Sequence, residues 1–145
     1  MTRMAIALVV ILGMWTVDSP GQQEDETAGV RQVALEYIEG WYEGNAARME
    51  RTPHPELAKR IVHSDPCTGQ DKLVKLTAGR LVEFTAKGGG RKTPEDQRAI
   101  DIKILDMLNT TANVKVSSAK FIDYLHIVKW NGKWVILNAV WENRQ

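Results

Sequence analysis

Between Ala28 and Glu43 the apolar residues fall at Val30, Val33, Ala34, Tyr37, Ile38 and Trp41. Spacings of three and four place them on one face of a helix, and that face ends in a large aromatic. Gly44 is the expected stop, and Asn45 is placed to cap a short second helix from Ala46 to Arg51. Thr52-Pro53-His54-Pro55 breaks that helix, and His54 is expected in a turn, capping a helix start. Leu57 to Val62 fits either a helical turn or a short strand, and Ser64 to Asp71 reads as loop. A third helix is expected from its cap at Thr77 to Lys87, burying Leu81 and Phe84 and ending at Gly88-Gly89-Gly90.

Beyond Pro94 the period shortens to two. Segments 99–107, 112–130 and 133–142 are rich in Ile, Val, Tyr, Phe and Trp, which is strand chemistry. Asn131-Gly132 between Trp130 and Lys133 predicts a two-residue hairpin, because a type I′ turn needs positive φ at both positions. A straight strand over 112–130 would span roughly 60 Å at the usual rise, far too long for a domain of this size. A bulge at Ser117-Ser118-Ala119 is therefore expected to bend it. Helices followed by antiparallel strands make an α+β domain, and a bent sheet cupping a long helix encloses a pocket.

The first residues carry a different pattern. Arg3 precedes an unbroken apolar run from Met4 to Trp15, which is too short to cross a hydrocarbon core and has the length of a signal-peptide core. Residues 1–21 are accordingly expected to be a signal peptide of a secreted or periplasmic protein, with an uncleaved anchor as the alternative. Residues 22–27 are polar and acidic and are expected to be a disordered lead-in to a domain over 28–145.

Composition narrows the chemistry. The 145 residues carry 19 Lys and Arg against 18 Asp and Glu, a net charge of +1, so there is no basic field for nucleic acid. The single cysteine, Cys67, excludes an intrachain disulfide. His63, Asp65 and Cys67 match no zinc framework, and Gly88-Gly89-Gly90-Arg91-Lys92-Thr93 lacks the spacing of a phosphate loop. No metal or cofactor is expected.

Four segments carry a family resemblance: 37–45 (YIEGWYEGN), His54-Pro55, 121–125 (FIDYL) and 131–138 (NGKWVILN). Together the chain from about Ala28 to Glu142 resembles the lumazine-binding branch of the nuclear transport factor 2-like superfamily. The resemblance implies a conical α+β fold with three N-terminal helices on a curved antiparallel sheet. It also implies a pocket for a flat heterocycle. The superfamily includes ketosteroid isomerase-like and dehydratase-like enzymes, but no position here matches the isomerase's paired acid and tyrosine motif.

The hairpin turn predicts pairing of 129 with 134, 127 with 136, 125 with 138 and 123 with 140. With the Trp134-Ile136-Asn138 face taken as inner, as the resemblance implies, Asp123 and Asn138 lie diagonally on an apolar wall. A desolvated carboxylate there is a candidate general acid or base, or else simply accepts hydrogen bonds from Asn138 or a helix tyrosine. The expected ligand wall comprises Tyr37, Trp41, Phe84, Asp123, Leu125, Trp134 and Asn138. The opposite face would carry Tyr124, His126, Val135, Leu137 and Trp141, apolar enough to predict a homodimer through the sheet. Three functions stay open: a small-molecule binder, an isomerase or dehydratase using Asp123, and a structural or interaction module with a self-filled pocket.

Overall fold

In the computed structural model, which describes residues 20–144, a single long helix, α1 (Pro20–Glu43), lies along the concave side of the sheet. Val30, Ala34, Tyr37 and Ile38 are buried on its inner face, at the spacing the pattern requires. The helix begins eight residues earlier than expected, and residues 22–27 are not a disordered lead-in. Their order has a cause: Glu26 accepts a hydrogen bond from the Trp134 indole at 2.7 Å and pairs with Lys129, tying the first turns to the last hairpin. The apolar run of residues 4–15 lies outside the described residues. Among the described residues no helix is long and apolar enough to cross a membrane.

Gly44, at φ 64°, ends α1. Asn45 caps α2 (Ala46–Glu50) by accepting from the Arg48 backbone N–H at 3.0 Å. Arg48 then reaches back to Glu36, Glu39 and Glu43, locking α2 against α1. The chain continues directly into β1 (Pro53–Ser64), so the ambiguous segment is a strand. His54 caps no helix: it lies in β1, accepts from the Glu56 N–H at 3.1 Å through Nδ1, and packs edge-on against Trp130. The expected loop closes a hairpin to β2 (Asp71–Leu76), a strand the pattern did not announce. Thr77 caps α3 (Ala78–Ala86), accepting from the Arg80 N–H at 3.4 Å, as expected.

The remaining strands are β3 (Asp101–Met107), β4 (Thr111–Ser117), β5 (Phe121–Trp130) and β6 (Lys133–Asn143). The segment expected to be one bent strand is two. The chain reverses at Ser118-Ala119-Lys120, where both the N–H and the hydroxyl of Ser118 donate to the Phe121 carbonyl at 3.0 Å. The six strands run in the order β2-β1-β6-β5-β4-β3. All neighbours are antiparallel except β1 and β6, which pair in parallel, so the sheet is mixed.

A bulge occurs elsewhere, in β6. Asn131 and Gly132 both have positive φ, 49° and 77°, and the hairpin pairs 129 with 134 and 127 with 136 as the turn dictates. The bulge then intervenes: His126 faces Asn138, Leu125 faces Ala139 and Asp123 faces Trp141, leaving Leu137 without a cross-strand partner. One extra residue exchanges the faces of everything beyond it. Ala139 is buried and Trp141 turns inward, while Val140 is exposed. The outer face is therefore less apolar than expected, since Asn138 and Glu142 replace Ala139 and Trp141 there.

Candidate functional site

α1, α3, β2, β1, β6 and β5 converge around a cavity of about 250 Å³. Its walls are Trp41, Phe84, Phe121 and Trp141 with Leu76 and Leu81, and its polar groups are Tyr37, Lys59 and Asn143. The aromatic side is held from behind. Trp41 meets Phe121 edge-on with centroids 6.3 Å apart, and Phe121 in turn stacks on Tyr42 at 6.0 Å. Gly89 and Gly90 close over the Trp41 indole. A Cβ on Gly90 would fall 2.7 Å from the Trp41 carbonyl oxygen and ring, so only glycine admits this approach.

The cavity floor is ionic. Asp123, which is fully buried, accepts from the Tyr37 hydroxyl at 2.9 Å and from the Lys59 ammonium on the same oxygen, Oδ1. Lys59 also donates to the Tyr37 oxygen at 2.8 Å, and its Nζ lies 4.2 Å from the centre of the Trp141 ring. The second carboxylate oxygen of Asp123 is buried and has no hydrogen-bond partner. Burial drives the Tyr37 hydroxyl well above its ordinary pKa, reinforced by the Asp123 charge, so it stays protonated. Burial lowers the Lys59 pKa, and the neighbouring Asp123 opposes that shift.

The site thus regroups the expected residues. Tyr37, Trp41 and Phe84 line the cavity. Asp123 does not stand on an apolar wall: it sits behind Tyr37 and Lys59 and is paired with a cation. Its helix-tyrosine hydrogen bond is the one foreseen. Leu125 is packed in the core. Trp134 lies towards the other end of α1, against Gly29 and Glu26, and borders a separate shallow depression. Asn138 pairs with His126 beyond the bulge, and the predicted diagonal to Asp123 does not exist. Trp141, assigned to a dimer face, is a cavity residue for the same reason. Tyr124 is half-exposed on the outer face, and His126 is exposed. Val135 and Leu137 are half-buried.

Lys59, Leu76, Leu81, Phe121, Trp141 and Asn143 line the cavity without having been expected there. For Lys59 a signal exists: read as a strand, Leu57, Lys59 and Ile61 alternate to one face, which puts a lysine between two apolar neighbours. Asp65 accepts from the N–H groups of Cys67 and Thr68 and so shapes the β1–β2 turn. Cys67 is exposed there. Among the described residues no three His, Cys, Asp or Glu side chains gather as a metal site.

Solved structures with this architecture are numerous. A nuclear transport factor 2-like protein of unknown function from Silicibacter pomeroyi superposes with a TM-score of 0.64 at 14% identity, covering 84% of this chain and 98% of its own. One from Methylobacillus flagellatus gives 0.63 at 20% identity, covering 83% and 94%. A ketosteroid isomerase-like protein from Erwinia carotovora atroseptica gives 0.59 at 14%, covering 83% and 98%. At these identities the likeness speaks for the fold alone. No curated protein matches the chain. The sequence of residues 25–142 matches the family described as "Putative lumazine-binding", and the chain belongs to that family, on a nuclear transport factor 2-like fold.

Proposed function

We propose that this protein binds a small planar heterocycle or aromatic compound in the cavity between α1, α3 and the sheet. The observation that carries this reading is an aromatic chamber with a polar floor. Trp41, Phe84, Phe121 and Trp141 offer faces and edges for stacking, and Lys59 and Tyr37 offer hydrogen bonds to one end of the ligand. At about 250 Å³ the space suits one or two fused rings. The family description points to the same ligand class.

An isomerase or dehydratase built on Asp123 is the weaker reading, because its carboxyl lies behind Tyr37 and Lys59. A module filled by its own side chains is opposed by the open cavity. Two further features belong to the proposal. The apolar run behind Arg3 exports the protein, which N-terminal sequencing of the native species tests: a mature start near Gln22 supports export, and Met1 in a cytoplasmic fraction contradicts it. The outer sheet face, with Tyr124 and Val140 each at least half exposed, pairs two copies. Binding itself is tested by calorimetric titration with lumazine and simple flavin precursors. Heat that saturates in wild type and disappears in Trp41→Ala supports the reading.

A further inference from the structure

We propose that Lys59 is a covalent capture site, forming a reversible protonated imine with planar aldehydes or ketones that enter the aromatic cavity. This inference rests on the binding reading above and adds the ligand's functional group. Lys59 is the only amine among the cavity-lining residues, and 6% of it is exposed. A lysine in apolar surroundings holds its proton less tightly than one in water, and the aromatic walls supply those surroundings. Burial lowers the ammonium pKa here, in the direction the chemistry needs.

The neighbours complete the chemistry. Asp123 contacts Nζ and is the base at hand for its proton, and the exchange leaves the net charge of the site unchanged. Tyr37 stands 2.8 Å from Nζ and 2.9 Å from Asp123 Oδ1, so one hydroxyl bridges the reacting nitrogen and the carboxyl. The ammonium passes a proton to Asp123, and the freed lone pair forms a C–N bond as the carbonyl π pair moves onto oxygen. Tyr37 relays a proton from nitrogen to that oxygen, giving a neutral carbinolamine. The nitrogen lone pair then forms the C=N bond while the C–O bond breaks. The proton held by Asp123 reaches the departing oxygen through Tyr37, and water leaves. The sum is ammonium plus carbonyl giving iminium plus water, with nothing oxidised or reduced. The iminium keeps the Asp123 carboxylate as its counter-ion, in the place the ammonium held.

The test is reductive trapping in the wild-type protein. It is incubated at neutral pH with 2-naphthaldehyde and sodium cyanoborohydride, which reduces the iminium to a stable secondary amine, and labelled residues are mapped by peptide mass spectrometry. Lys59 is expected to be labelled about tenfold faster than the exposed Lys72 or Lys103, against the order that accessibility alone dictates. Lys59→Arg, which keeps the positive charge beside Asp123, should lose that label. Labelling of surface lysines with Lys59 unmodified overturns the inference. If 2-naphthol, which has no carbonyl, still binds in that case, the non-covalent reading survives. If it does not, both fail.

Discussion

The Lys59 ammonium and the Tyr37 hydroxyl lie 2.8 Å apart, joining β1 to α1 across 22 residues of sequence, and both meet Asp123 of β5. Three elements are thereby pinned at the floor of the cavity. The arrangement is costly to half-remove. Lys59→Met should destabilise the fold by about 3–5 kcal/mol, because Asp123 would be left buried without its cation. Asp123→Asn should do similar damage. The double variant Lys59→Met with Asp123→Asn should recover much of the loss, and chemical denaturation of all four proteins measures the coupling. Additive losses would contradict a coupled pair.

The glycine run is a packing device. Gly90→Ala should cost about 1–3 kcal/mol, since its Cβ would press on the Trp41 ring and carbonyl. The same variant should weaken any ligand that stacks on Trp41. Gly69→Ala serves as the control for strain without crowding, because a Cβ there meets nothing while its φ of 69° still penalises alanine. Thermal denaturation of both variants separates the two effects.

Acid should loosen the contact between α2 and α1. Hydrogen bonds from Arg48, and then Arg51, hold the Glu36 carboxyl below its ordinary value of 4.5. A carboxylate with a depressed folded pKa stabilises fully above its unfolded value, and that contribution fades as pH falls through the lower, folded one. Stability should therefore decline below about pH 4.5, and Arg48→Ala should flatten that part of the profile while costing about 1–2 kcal/mol at neutral pH. Denaturation midpoints measured across this range check the slope.

The outer face makes a separate prediction. Tyr124→Glu and Val140→Glu place charge at the centre of the proposed two-fold contact without touching the cavity. Sedimentation should show a wild-type dimer and a folded monomeric variant. A wild type that stays monomeric at micromolar concentration contradicts the pairing.

Much of the fold is legible in the sequence where local chemistry and burial agree. The Val30 to Trp41 periodicity, the caps at Asn45 and Thr77 and the Asn131-Gly132 turn all lie where pattern and propensity place them. The misreadings are long-range. Gln22 to Thr27 looks like a solvated tail until Glu26 finds Lys129 and Trp134, more than 100 positions away. The Leu137 bulge leaves no mark in an unbroken run of strand formers, yet it exchanges Asn138 for Trp141 at the site. Lys59 was hidden by the ambiguity of its own segment. Tyr37, Trp41 and Phe84 were accessible because helix spacing alone points them inward. The ionic floor required knowing which strand lies beside which.

The most direct test of the central claim is calorimetric titration of lumazine into wild-type protein and into Trp41→Ala, with a thermal melt alongside. A ligand at about 100 times its Kd should stabilise the wild type by about 2.7 kcal/mol, raising its melting temperature by several degrees. The variant, lacking the stacking wall, should show neither heat nor shift. Absence of heat and shift in the wild type for lumazine and for flavin precursors alike, at millimolar concentration, would contradict a planar-ligand cavity. So would equal binding by both proteins.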